Sequence, residues 1–151
     1  MSSNNFVSRG GDKLQAAIIN FQLSINNFVC LDVGSSTGGF VDCLLQNEAK
    51  KVYSLDTAYG ELAWKLRNDP RVVVMERTNI LHLEELPKSV IARSDSDEAI
   101  YNRQVSSSTY IDRHDKSGLP RDDETKIDLV TIDAGWTKLE LVLPVVRKFL
   151  K

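Results

Sequence analysis

The feature that most constrains the fold is a glycine-rich segment joining a buried apolar run to a helical pattern. It reads Leu31-Asp32-Val33-Gly34-Ser35-Ser36-Thr37-Gly38-Gly39-Phe40. Glycine allows a tight turn, lets the backbone approach a ligand closely, and lets the following helix pack near the strand. The segment therefore predicts an α/β domain with a small-molecule site at the end of its first strand.

Four short runs rich in Val, Ile and Leu predict the strands of a single sheet. Each run is almost continuously apolar, as expected of strands buried on both faces; the runs cover residues 28–33, 51–56, 71–76 and 127–133. Apolar residues at helical spacing predict helices over residues 12–21, 38–48 and 60–68, and a last helix that begins near Thr137. Strands and helices that alternate with short links predict a parallel sheet and therefore an α/β fold.

The last helix carries two further signals. Thr137 and Glu140 have the spacing of a capping box, in which each side chain satisfies a backbone N–H at the start of a helix. Pro144 interrupts an apolar pattern that continues to Leu150, and a proline inside a helix should kink or shorten it.

Composition narrows the class of protein. The 151 residues fit one domain. The 19 basic and 21 acidic side chains give a net charge of -2, so contact with RNA would need a local basic patch or another chain. No apolar run approaches the roughly 20 residues that cross a bilayer, and the N-terminus does not resemble a secretory signal. Cys30 and Cys43 form no cluster with the histidines, which argues against a metal site. We expect a cytoplasmic protein with no membrane partner.

Residues 89–126 interrupt the alternation of strands and helices. These 38 residues contain 14 charged residues and seven serines. Such a segment has too little apolar surface to offset the entropy lost on ordering. We therefore interpret residues 1–151 as one domain with a disordered insertion at 89–126, between the third and fourth strands.

Spacing within the glycine loop distinguishes three classes of ligand. A P-loop would need Gly-Lys-Ser/Thr, but Gly39 is followed by Phe40 and Val41. A dinucleotide-binding loop would need a glycine at the position of Ser36. S-adenosylmethionine, which has no phosphate, is the class that remains. We expect the loop to pass under its methionine part, and we assign binding to Asp32, Gly34, Ser35, Ser36, Thr37, Gly38, Gly39 and Phe40.

Two polar residues follow the next two strands. Asp56 lies 17 residues after Gly39, close to the spacing of about 20 for an acid that binds ribose hydroxyls. Asn79, just past the third strand, is placed to meet the adenine edge, although a turn residue is an equally good interpretation.

Three further motifs accompany the glycine loop: Ser8-Arg9-Gly10-Gly11-Asp12-Lys13-Leu14, Ala58-Tyr59-Gly60-Glu61-Leu62-Ala63-Trp64-Lys65-Leu66-Arg67 and Asp69-Pro70-Arg71-Val72. Together they resemble the TlyA family of bacterial ribosomal RNA 2′-O-methyltransferases, often labelled haemolysins and related to the FtsJ (RrmJ) methyltransferases. The resemblance covers residues 6–87 and 127–150. It implies S-adenosylmethionine as cofactor, ribosomal RNA or a ribosomal subunit as partner, and a Rossmann-like methyltransferase sheet with strand order 3-2-1-4.

The resemblance also implies a catalytic tetrad of Lys, Asp, Lys and Glu. The first lysine corresponds to Lys13 and the aspartate to Asp133, at the end of the fourth strand. A lysine ammonium beside a ribose 2′-oxygen would orient it and stabilise the negative charge that develops there, while the carboxylate holds the lysine in place.

The sequence departs from the family pattern in ways that lower the activity we expect. The second lysine and the glutamate of the tetrad would lie beyond Lys151, and only seven residues precede Ser8, where the family has an S4-type RNA-binding domain. Asp133-Ala134-Gly135-Trp136 replaces the usual Asp-Val-Ser-Phe. The resemblance thus implies a partial methyltransferase domain, and we expect weak or no activity from this chain alone. We also expect the fourth strand to have an open edge, which favours association with a second copy or with a complementing chain. The alternatives are a non-catalytic cofactor-binding remnant and, disfavoured by the absence of a membrane-active segment, a haemolysin.

Overall fold

Four parallel strands form one sheet in the computed structural model, which describes residues 6–87 and 126–151. The strands are β1 (Val29–Val33), β2 (Lys51–Leu55), β3 (Val72–Met75) and β4 (Leu129–Ile132). The α-helices are α1 (Gly10–Asn20), α2 (Gly39–Gln46), α3 (Trp64–Arg67) and α4 (Leu139–Val146), and a 3-10 helix covers Ile80–His82. The insertion predicted at 89–126 lies outside the described residues, apart from Lys126.

The strand order is β3-β2-β1-β4, as predicted, and every pairing is parallel. The central strand β1 is buried along its whole length because it has a strand on each side and apolar side chains packed on both faces. The carboxyl ends of all four strands therefore lie at one edge of the sheet. This places the segments that follow β1, β2, β3 and β4 next to one another.

Apolar side chains cover the two faces of the sheet as separate layers. One layer joins α1 and α2 to the face that carries Cys30 and Val52. The other joins α4 and the 3-10 helix to the face that carries Leu31 and Val33. This arrangement confirms the α/β prediction, and both cysteines are buried free thiols.

The structure corrects the predicted helices in two places. The helix predicted over 60–68 is only α3, because Gly60 has a positive φ of 77° and Ala63 is extended. The predicted capping box was wrong, because Lys138 is the residue before the first turn of α4 and no side chain caps this helix. Pro144 lies inside α4, which ends two residues later instead of continuing to Leu150.

The chain after α4 returns to the start of β4. The N–H of Ile127 donates to the carbonyl of Phe149 at 2.8 Å, and Ile127 forms an isolated parallel bridge with Leu150. Within the described residues, β4 itself pairs only with β1. None of the helices in residues 6–87 and 126–151 combines the length and apolar character needed to cross a bilayer.

Candidate functional site

The glycine loop turns sharply over the carboxyl end of β4. Gly34 has a φ of 86°, and its N–H donates to the carbonyl of Leu55 at 2.8 Å. A Cβ at Gly34 would lie 2.6 Å from the carbonyl oxygen of Asp133. Only a residue without a side chain allows this approach. The loop and the residue after β4 are therefore in direct backbone contact.

Asp56 fixes the exposed part of the same loop. Its Oδ2 accepts the N–H of Ser36 at 2.7 Å, and its Oδ1 accepts the N–H of Ala58 at 2.8 Å. Ser36 has a positive φ of 47°, and its hydroxyl donates to Glu61 at 3.2 Å. A carboxylate can accept about four hydrogen bonds, so the two backbone contacts orient Asp56 and leave acceptor capacity for a ligand.

The remainder of the loop is packed against α1 and α3. Gly38 is left-handed, and a Cβ there would lie 2.7 Å from the side chain of Leu62, before α3. Thr37 is exposed, and its carbonyl accepts the N–H of Ala63 at 3.2 Å. A Cβ at Gly39 would lie 2.8 Å from the N atom of Gly11 and would also overlap the Ser8 hydroxyl.

The Ser-Arg-Gly-Gly motif is thereby held against the start of α2. The ring of the half-buried Phe40 lies 3.6 Å from the position of a Cβ at Gly10. Asp42, a buried residue of α2 that the sequence reasoning missed, accepts the N–H of Val7 at 2.8 Å and pairs with Lys65 at 2.9 Å. A lone carboxylate in the apolar pattern of α2 was the available signal. These contacts fix the start of α1, and with it Lys13, relative to the loop.

Lys13 and Asp133 meet at this edge of the sheet, although 119 residues separate them in the sequence. Lys13 Nζ lies 3.8 Å from Asp133 Oδ2, with the side chains 72% and 57% exposed. An ion pair this exposed contributes little to stability. Its significance is positional, because it places an ammonium and a carboxylate beside Gly34.

Asp32 lies beneath the loop and is completely buried. Its Oδ1 accepts the hydroxyl of Thr131 at 2.7 Å, while Oδ2 is buried without a hydrogen-bond partner among the described residues. The Ser35 hydroxyl donates to the Asp32 carbonyl at 3.2 Å. Burial raises the pKa of Asp32 to about 6, against the hydrogen bonds from Thr131 and Ser35, which lower it.

Asn79 has a local contact that fits the turn interpretation. Its Oδ1 accepts the N–H of Leu81 at 2.9 Å and caps the 3-10 helix. The neighbouring Thr78 N–H donates to the Asp56 carbonyl at 3.0 Å, which keeps Asn79 close to the segment after β2. The assignment of Asn79 to an adenine remains a prediction.

Replacing Asp32 with Asn should change how stability depends on pH. The raised pKa means that the folded chain binds a proton more tightly than the unfolded chain, so the buried carboxyl reduces stability as pH rises from about 4 to about 6. The free energy of unfolding of Asp32→Asn relative to wild type should rise by about 3 kcal/mol across this window and then level off. Urea unfolding at a series of pH values measures this difference, and a flat difference would contradict it.

A parallel α/β sheet with a glycine loop and carboxylates at its strand ends defines a domain of the Rossmann-like class. The chain belongs to the FtsJ-like methyltransferase family, whose sequence model matches residues 6–150. This confirms the family resemblance predicted from the motifs and the fold class.

Curated relatives agree with this assignment. The Bacillus subtilis protein YqxC is 39% identical over 145 residues, 96% of this chain and 40% of that protein. The 16S/23S rRNA (cytidine-2′-O)-methyltransferase TlyA of Mycobacterium tuberculosis is 48% identical over 94 residues, 62% of this chain and 34% of that protein. Hemolysin A of Brachyspira hyodysenteriae is 46% identical over 93 residues, 58% of this chain and 39% of that protein.

A solved structure shares the fold. The crystal structure of a protein of Lactococcus lactis described as a hemolysin has a TM-score of 0.68 and 37% identity, and it covers 99% of this chain and 55% of that chain. The chain thus spans at most two fifths of the length of the three curated relatives, at 40%, 39% and 34%.

Proposed function

We propose that this chain carries the donor-binding part of an S-adenosylmethionine-dependent methyltransferase that modifies ribose 2′-hydroxyls of ribosomal RNA. The observation that carries the proposal is the meeting of Lys13 and Asp133 beside the glycine loop, at 3.8 Å. Two residues from opposite ends of the sequence converge where a methyl donor would lie. The relatives named as rRNA methyltransferases support the substrate class.

The loop and its neighbouring acids suit a donor without phosphates. Asp56 is held by two backbone N–H groups and keeps acceptor capacity for two ribose hydroxyls. Asp32 and Asp56 lie at the loop, and Asp133 is paired there with Lys13, so carboxylates outnumber the cation and favour a cationic ligand over an anionic one. The exposed Ser36 and Thr37 form the accessible part of the loop.

The proposed chemistry uses the exposed pair as a positioning and charge-stabilising device. S-adenosylmethionine, when bound, supplies an activated methyl group. The Lys13 ammonium donates a hydrogen bond to the ribose 2′-oxygen and stabilises the charge that develops there, and Asp133 orients the lysine. Exposure of the pair leaves room for an RNA strand to reach it.

A partner chain or a second copy belongs to the same proposal. Among the described residues, β4 is an edge strand, and Leu139, Leu141 and Leu143 of α4 are each about half exposed. Exposed apolar side chains next to a strand edge favour association. Location in the cytoplasm is part of the proposal too, since ribosomal RNA is found there.

The test separates donor binding from methyl transfer. Calorimetric titration with S-adenosylmethionine should show saturable binding to the wild type and to Lys13→Ala alike. Methyl transfer from radiolabelled donor to ribosomal subunits should be lower by 100-fold or more for Lys13→Ala than for the wild type. Lys148→Ala, which removes an exposed lysine of the C-terminal segment, is the matched control and should retain both properties.

Three outcomes distinguish the alternatives. Binding with transfer that depends on Lys13 supports the proposed enzyme. Binding with no transfer, even with added ribosomal subunits, supports a non-catalytic cofactor-binding remnant. Folded protein that gives no heat with the donor would contradict both.

A further inference from the structure

Three polar side chains form a row across the sheet directly beneath the glycine loop. Asp32 of β1 is paired in register with Ser54 of β2 on one side and with Thr131 of β4 on the other. All three are buried, at 3% exposure or less for Ser54 and Asp32 and 7% for Thr131. Polar residues within strands buried on both faces are uncommon because each needs a hydrogen-bond partner. Stability alone does not explain a carboxyl at the centre of this row.

Thr131 makes the side-chain contact that orients Asp32. Its hydroxyl donates to Asp32 Oδ1 at 2.7 Å, an ordinary distance for an O–H···O hydrogen bond, and this contact fixes the orientation of the carboxyl group. The other oxygen, Oδ2, is buried with no partner in the described part of the chain. A buried carboxylate oxygen without a donor is unfavourable, and a nearby cation would relieve it.

The row is coupled to both halves of the site. Asp32 lies two residues before Gly34, and Thr131 lies two residues before Asp133. The Asp133 N–H donates to the Val33 carbonyl at 3.0 Å, so the ends of β1 and β4 are held together just above the row. A substitution in the row should therefore shift the glycine loop and the Lys13–Asp133 pair.

The charged groups that shift the pKa of Asp32 are acidic, and one of them, Asp133, is itself paired with Lys13. Burial raises the pKa of Asp32 most, the hydroxyls of Thr131 and Ser35 lower it, and Asp133 and Asp56 raise it slightly, with a result of about 6. Cys30, on the same face of β1, is buried and has a pKa raised to about 12, so it stays neutral. Asp32 therefore changes its charge within an accessible pH range.

We propose that Thr131 is a positioning residue for the methyl donor. Its hydroxyl holds Asp32 ionised and oriented beneath the glycine loop. The negative charge of Asp32 there favours the donor, whose sulfur is positively charged, over the product, whose sulfur is neutral. This inference rests on the proposed function. S-adenosylmethionine has a permanently positive sulfonium, and S-adenosylhomocysteine, the product, has a neutral thioether in its place. A negative charge acting through a low-dielectric interior distinguishes the two.

The experiment measures dissociation constants for the donor and the product by calorimetry between pH 5 and pH 8.5. For the wild type, donor affinity should rise as the pH passes through about 6, and product affinity should change less. Thr131→Val keeps the size of the side chain but removes the hydroxyl, so the rise should move to higher pH. Donor binding at pH 6.5 should weaken about tenfold and approach the wild-type value at pH 8.5. Thr131→Ser should restore the wild-type profile.

A second variant keeps the inference testable if Thr131→Val does not fold. Asp32→Asn removes the charge at every pH and should abolish both the pH dependence and the preference for donor over product. If Thr131→Val bound the donor equally more weakly at every pH, or with the same pH dependence as the wild type, Thr131 would have only a structural role and the inference would be overturned. An unchanged preference in Asp32→Asn would do the same. Failure of the wild type to bind either compound at any pH contradicts the proposed function itself, whereas wild-type binding without a pH shift in the variants contradicts the inference alone.

Discussion

Replacement of Asp56 by alanine should weaken the binding of S-adenosylmethionine by about 100-fold. In the proposed complex the Asp56 carboxylate accepts hydrogen bonds from the ribose hydroxyls, and one hydrogen bond to a charged group contributes about 1.5–3 kcal/mol. The same change removes the acceptor for the Ser36 and Ala58 N–H groups, so the exposed part of the loop would lose its anchor. Calorimetric titration at pH 7.5 measures the effect.

Asp69→Ala is the control for this measurement. Asp69 is an aspartate like Asp56, but it follows α3 and makes an ion pair with Arg71 at 2.8 Å. It precedes β3, so it lies at the amino end of the parallel sheet, away from the loop. Its replacement should lower stability slightly and leave donor binding unchanged. Equal affinities of wild type and Asp56→Ala would remove Asp56 from the proposed site.

The central sheet could be predicted because its signals are local. Almost continuous apolar runs such as 28–33 are typical of strands buried on both faces of a parallel sheet, and the structure has β1 in the centre. The glycine loop was recognisable for the same reason: Gly34 and Gly38 both adopt a positive φ, which few other residues tolerate. The strand order came from the family resemblance instead.

The contacts that build the site are not local, and the sequence signals for them were weak. In the sequence, Thr131 is indistinguishable from any other strand residue. Its role becomes visible only when its register partner on β1 is known. Asp42 is a single carboxylate in an apolar helical pattern, and the sequence does not show that it is buried and accepts the N–H of Val7, 35 residues earlier. Lys13 and Asp133 were paired only through the family resemblance, since no spacing rule connects residues so far apart in sequence.

Helix ends were predicted least well, because tertiary contacts override local preference there. Thr137 and Glu140 have capping-box spacing, but α4 begins after Lys138, which is extended. The apolar pattern to Leu150 continued past Pro144, yet Phe149 and Leu150 pair with the residues before β4 instead of extending the helix. Burial against a strand was the stronger interaction.

Backbone contact between the loop and β4 makes Gly34 the most sensitive position of the site to a small change. A Cβ at Gly34 would lie 2.6 Å from the Asp133 carbonyl oxygen and 3.0 Å from the Cα of Ala134. Both are backbone atoms, so neither can rotate away as a side chain could. One of the two strand ends must move, and either movement separates the loop from the Lys13–Asp133 pair.

Gly34→Ala should therefore lower the free energy of unfolding by about 3 kcal/mol or more, from a left-handed φ that costs about 1–2 kcal/mol and from overpacking that costs a further 1–3 kcal/mol. Gly60→Ala is the matched control, because Gly60 also has a positive φ, of 77°, but a Cβ there meets nothing within 4 Å. It should lose only the conformational part, about 1 kcal/mol. Urea unfolding of both variants separates the two contributions. Equal losses would mean that the close approach of Gly34 to Asp133 relaxes freely, and that the loop does not depend on β4 for its position.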